Sequence, residues 1–215
     1  DEALKAGIKK AKAGADEGDI LAAQHSAIFS GGGDYPGNEF IIGSDRDALL
    51  CRYKSGRRKL SKRDQLTLEF AGVYRHYHAA FMRTLIIGKP NKDHLKMDEA
   101  CRAALSEVEG ALRPGKTAGE VFDAHARVMD AHGMREHRLN ACGYSLGAKF
   151  TPSWMDFPMF YRGNEVVIAE GMVFFAHMIL MNSASEAAYC LGRTYIIGTR
   201  KPEPVSKYPL TMIAR

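Results

Sequence analysis

Three residues with reactive side chains sit inside apolar segments, where such groups are costly to place without a purpose. Glu69 interrupts LTLEFAG, and a carboxylate there must be paired or face a cleft. His177 interrupts VFFAHMILM, so its imidazole needs a hydrogen-bond partner inside the fold. Cys142 lies between Ala141 and Gly143; it is a nucleophile only where a neighbour lowers its pKa, and otherwise a packing residue. A Glu69 carboxylate whose pKa is raised by burial is a general base; paired with Arg52 or Arg83 it is structural.

The other histidines say less. His76 and His78 have i, i+2 spacing, which places both on one side of a strand. His125 and His132 lie seven residues apart on a helical stretch without the HExxH arrangement, and read as surface residues. Trp154, Phe157, Phe160 and Tyr161 read as core or dimer contacts.

The elements that must position these groups follow from periodicity and punctuation. Residues 1–29 form a helix that breaks at Gly14 and restarts. The glycine- and proline-dense stretch 30–40 is a loop, and FIIGS and DALLCRY after it are short strands. QLTLEFAGVYRHYHAAFMRTLIIG alternates as two strands joined by a turn near Tyr74 and Arg75. An amphipathic helix spans 93–112 and ends at Arg113-Pro114-Gly115; Thr117 to Glu120 is a capping-box opening for a second helix running to about His132. Beyond His137, three segments are β-branched, apolar and glycine-punctuated. Helices and strands in separate blocks predict an α+β fold rather than a doubly wound sheet. No GxGxxG or GxxxxGK[ST] supports nucleotide binding.

Composition bounds the setting. The 215 residues are 46% hydrophobic and 26% charged, ordinary for one soluble domain. Four scattered cysteines without a CxxC pair argue against a zinc knuckle or disulfide scaffold and for a reducing compartment. No apolar run approaches the roughly 20 residues that span a bilayer, so a cytoplasmic protein without membrane contact is expected. The net charge of +5 is concentrated in 52–63, a short basic stretch that reads as a solvated loop and not as a nucleic-acid site.

Several motifs carry a resemblance. LEFAGVYRHYHAAFMRTLIIGKP resembles the segment of the creatinase/prolidase/aminopeptidase P superfamily that runs Asp, a glycine-containing turn, Tyr, Asp and an Arg-Thr strand. LRPGKTAGEVFDAHARVMDAHG resembles its "R-P-G-x-T-A-x-E-V" helix opening, and ACGYSLG stands where Gly-His-Gly-x-Gly is expected. EGMVFFAHMILM and CLGRTYIIG resemble its "P-G-M-V-F-x-x-E-P" and "R-x-E-D-T-V-x-V-T" strands. The match runs from about Gly14 to Val205. It implies the pita-bread fold, a curved antiparallel sheet covered by helices, filling residues 1–215. It also implies a further domain before Asp1 and a homodimer.

The resemblance implies a dinuclear site of two Asp, one His and two Glu, yet those positions read Glu69, Ala80, Cys142, His177 and Gly192. One carboxylate cannot bridge two cations. A single zinc on Cys142, His177 and Glu69 is chemically conceivable, but the expectation is no metal and no cofactor. Two substrate-handling histidines of the family fall on Arg52 and Lys149, which with Arg83 suggest a basic pocket for an anion or a zwitterion's carboxylate. The reading is a creatinase- or Xaa-Pro peptidase-like hydrolase acting without metal on a small molecule or short peptide, with Glu69 and His177 catalytic and Arg52, His78, Arg83, Cys142 and Lys149 binding substrate. The alternatives are an inactive pseudo-peptidase that binds a peptide or small anion, and an active metallo-aminopeptidase or prolidase.

Overall fold

The computed structural model describes residues 1–50 and 57–215, so Arg52 lies outside the described residues. Two helices open the chain, α1 (Glu2–Lys10) and α2 (Glu17–Ser30), separated at Gly14, whose φ of 82° is in the left-handed region that favours glycine. Then come β1 (Ile41–Ser44), β2 (Asp64–Tyr74), β3 (Tyr77–Ile87), α3 (Lys92–Ala111), α4 (Ala118–Ala131), β4 (Ala141–Ser145), β5 (Asp156–Tyr161), β6 (Val173–Asn182) and β7 (Ala187–Ile197), with β8 (Pro202–Pro204) and β9 (Ile213–Ala214) at the end. The described strands form one sheet in the order β1-β2-β3-β7-β6-β4-β5. Apart from β9 beside β3, its pairs are antiparallel. This is the α+β arrangement expected from the segregated helices and strands.

Local chemistry sets the boundaries. Thr117 accepts from the Glu120 amide while the Glu120 side chain accepts from the Thr117 amide, a complete capping box for α4. Asn91 caps α3 through His94 N. DALL does not become a strand: Asp45–Leu49 is a 3-10 turn, because Asp45 takes a positive φ of 55° and the Asp64 carboxylate caps its amide at 2.9 Å. The aromatic stretch contains a strand that sequence alone missed, β5, which buries Phe160 and leaves Phe157 exposed.

Two apolar cores lie against the sheet. Helices α3 and α4 cover β6 and β7 through Leu105, Phe122, Met178 and Leu191. Helices α1 and α2 join the second core with β1 to β3, which extends to Tyr144, Trp154 and Phe175. The basic stretch is anchored where it is described: Arg58 donates to Ser44 Oγ at 2.8 Å and to the Asp64 carboxylate, and Glu17 accepts the Arg58 amide at 3.0 Å. Arg58 is therefore a tie between α2, β1 and β2 rather than a solvated cation.

His125 is not a surface residue. It is 1% exposed on α4 beside Phe122, and burial, helped by the positive charge of Arg138, pushes its pKa down to about 4. Its folded pKa lies below the ordinary value near 6.5, so the unfolded chain takes up the proton first and stability falls as pH drops from 6.5 toward 4. The size is about 3 kcal/mol by the usual conversion of pKa to free energy. Urea titrations between pH 7 and 4 should show this slope, and His125→Leu should flatten it; an unchanged slope would contradict the assignment.

Candidate functional site

Antiparallel register decides which side chains can meet. Glu69 pairs with Met82, Met82 with Gly192, and Gly192 with His177, so one row crosses β2, β3, β7 and β6 on a single face. One residue along, Leu68, Arg83, Leu191 and Met178 form the next row, which faces the opposite way by the two-residue period of a strand. The sheet therefore brings Glu69 and His177 to one face and sends Arg83 to the other. Both Glu69 and His177 are buried.

A third residue completes the group. Tyr144 pairs with Phe175, two residues from His177 on the same strand face. Its hydroxyl donates to Glu69 Oε1 at 3.1 Å and accepts from Trp154 Nε1 at 2.9 Å. The ring of His177 lies 5.7 Å from that of Tyr144 and 5.5 Å from that of Phe175. A cavity of about 10 Å³, bounded by Glu69, Met82, Ile179 and Cys190, adjoins the carboxylate. It has room for about one water molecule. Toward the β2–β3 turn, an open cleft of about 620 Å³ is lined by Val73, His78, Leu146, Val173, Thr194 and Ile196.

Cys142 does not join this group. The ladder between β4 and β5 shifts between Ala141 and Tyr144, and Cys142 packs in the α3/α4 core with Phe174, Ala176 and Met178. Burial pushes its thiol far above the ordinary range, so it is neither a nucleophile nor a companion ligand for His177. Tyr144 is the β4 residue that reaches Glu69 instead. The frame Gly143-Tyr144-Ser145-Leu146-Gly147 fits Gly-His-Gly-x-Gly two residues on from the sequence-based alignment.

Arg83 is no substrate clamp. Fully buried on the other face, it donates Nη1 to the carbonyls of Met82 and Gly192 at 2.7 and 2.8 Å and sits over the Phe81 ring. Burial lowers its pKa to about 10. Lys149 is tied to Asp156 at 3.2 Å, and its amide donates to the His76 carbonyl. His76 does not share a strand face with His78, because Arg75 and His76 form the turn with φ of 49° and 64°. His78 accepts the Gly37 amide at 2.8 Å through Nε2, which fixes it as the neutral tautomer with the proton on Nδ1; burial lowers its pKa accordingly.

The described residues do not fit a pair of divalent cations. Among the described residues, no three of His, Cys, Asp and Glu converge as a metal group. Ala80 has no donor atom. At Gly192 a Cβ would come within 2.9 Å of the Phe175 ring and the Ala176 carbonyl, so an aromatic ring occupies the space a side chain there would need.

Comparison with known proteins places this geometry in a family. Residues 1–198 match metallopeptidase family M24. The chain is 23% identical over 173 residues to a Xaa-Pro dipeptidase of Pyrococcus furiosus, covering 80% of this chain and 49% of that protein. It is 26% identical over 144 residues to an ectoine hydrolase of Halomonas elongata, covering 66% and 36%. Among solved structures, the P. furiosus prolidase superposes with a TM-score of 0.90 at 20% identity over 96% of this chain and 60% of that one. An X-Pro aminopeptidase of Thermotoga maritima gives 0.91 at 16% over 99% and 59%. At these identities the structures establish the pita-bread fold. The chain belongs to the M24 metallopeptidase family. It spans between about a third and about half the length of these curated relatives.

The occupied Gly192 position yields a test. Gly192→Glu, which supplies a carboxylate, should destabilise the protein by about 1–3 kcal/mol through overpacking. Combining it with Phe175→Ala should relieve the clash, so that the Glu adds less to the cost of the Ala variant than to that of the native chain. Equal costs in both backgrounds, measured by urea unfolding, would contradict the packing described.

Proposed function

We propose that this chain is a hydrolase domain that cleaves a C–N bond of a small zwitterionic or carboxylate-bearing substrate without a pair of divalent metals. Glu69 acts as general base and His177 as its proton-transfer partner. The observation that supports this reading is the row that sets Glu69 and His177 on one face, with the Tyr144 hydroxyl donating to Glu69. The names of relatives support hydrolysis: one is a dipeptidase and another an ectoine hydrolase.

In this scheme Glu69 takes a proton from a water beside it as the water oxygen bonds to the substrate carbon. The C–N bond breaks and the leaving nitrogen receives a proton from His177. Glu69 then loses its proton and His177 regains one, restoring the pair. Tyr144 keeps the carboxylate oriented throughout. The substrate body enters the open cleft past His78.

A second reading, a binding module without turnover, is favoured by one feature: the Phe175 ring fills the space beside Gly192 that the carboxylate implied by the resemblance would need. One experiment separates the two. The protein is assayed with Xaa-Pro dipeptides, ectoine and creatine, and turnover by the native chain is compared with Glu69→Gln. General-base catalysis contributes about 10²–10⁴-fold, so a loss in that range with an unchanged unfolding midpoint supports the proposal. Full activity in the variant, or binding of these compounds with no turnover by the native chain, overturns it.

A further inference from the structure

The polarity of the Tyr144–Glu69 hydrogen bond is fixed from outside the row. An indole N–H can only donate. Trp154 Nε1 donates to the Tyr144 oxygen, and the hydroxyl, with one proton to give, donates to Glu69 Oε1. A protonated Oε1 would place two protons in one contact, so Oε1 is the acceptor in it.

Trp154 is in turn held by a second set of contacts. Its own amide donates to Asn38 Oδ1 at 3.1 Å, and the neighbouring Gly37 amide donates to His78 Nε2 at 2.8 Å on β3. The two loops approach so closely that a Cβ on Gly37 would stand 2.9 Å from Trp154 N, a spacing only glycine permits. The His78 and Trp154 rings are tilted against each other with centroids 6.0 Å apart. A circuit therefore runs from β3 through loops 37–38 and 151–155 to β4, and ends on β2 at Glu69.

We propose that Trp154 is a positioning residue of the site, aiming the Tyr144 hydroxyl proton at Glu69 and so supplying the fixed positive pole that a metal ion would give the carboxylate. The kinetic part of this inference rests on the hydrolytic reading above; the structural part does not. Burial makes such a bond worth more than its surface equivalent, because the alternative is an unsatisfied polar group in the core.

Trp154 is the single tryptophan of the chain, so its indole gives one unambiguous resonance in a 15N-tryptophan-labelled sample. The indole proton should move upfield and exchange faster in Tyr144→Phe. It should also shift in Glu69→Gln, where the charged acceptor beyond Tyr144 is lost. A tryptophan that merely fills space would respond to neither, and an unchanged resonance in both variants overturns the proposal whatever the protein hydrolyses. On a turned-over substrate, Trp154→Phe should lower kcat about tenfold, the worth of one hydrogen bond of this kind, with KM unchanged. The same substitution in a Tyr144→Phe background should cost less than twofold. Equal losses in both backgrounds would show a structural role and contradict the inference.

Discussion

A carboxylate removed from water must be stabilised by something else, and the inner chemistry of this domain follows from how Glu69 meets that requirement. Related proteins are metallopeptidases by family, and cations are one solution. Here the described residues supply a phenol hydroxyl held by an indole, in a nest of rings made by Tyr144, Phe175, His177 and Trp154. Hydrogen bonds to a charged acceptor are worth roughly 1.5–3 kcal/mol, more than neutral ones. The price is rigidity: each donor in the chain must be held by packing, and Tyr144 and Trp154 are both completely buried.

The sheet supplies that rigidity by register. A row running Glu69, Met82, Gly192, His177 needs three strand pairs to agree, and a one-residue slip in any would send a reactive side chain into the helix-covered core. Gln65 and Thr84 reinforce the agreement from the ends of the row. Gln65 accepts the Ala188 amide at 2.8 Å, and Thr84 accepts the Cys190 amide at 2.7 Å, each tying β2 or β3 to β7. On the other face Arg83 binds the carbonyls of Met82 and Gly192, so a residue that looks like a substrate clamp instead fastens two positions of the row together. Strand alternation alone separates the face of Glu69 and His177 from the face of Arg83.

Much of this was legible in the sequence. The capping box at Thr117, the break at Gly14, and the order of helices and strands are local signals, and the structure realises them. Glu69 and His177 stood out because polar groups in apolar runs are costly. What failed were statements needing strand parity. Counting from Glu69 through a two-residue turn at Arg75 and His76 puts His78 on the Glu69 face and Arg83 off it, but the sequence placed the turn near Tyr74 and Arg75, and without glycine at the left-handed positions its exact place, on which parity depends, was not marked. Tyr144 was not singled out because nothing local in ACGYSLG shows which residue of β4 reaches Glu69. His125 was misplaced because one polar residue per helical turn does not reveal which face is buried.

The account depends on the site working without a bound metal pair. The most direct measurement is elemental analysis of the purified protein after exposure to manganese, zinc and iron and exhaustive dialysis, with turnover followed before and after chelation. The account predicts substoichiometric metal and turnover unchanged by chelator. Two equivalents of divalent metal per chain, with activity lost on chelation and restored by readdition, would contradict it.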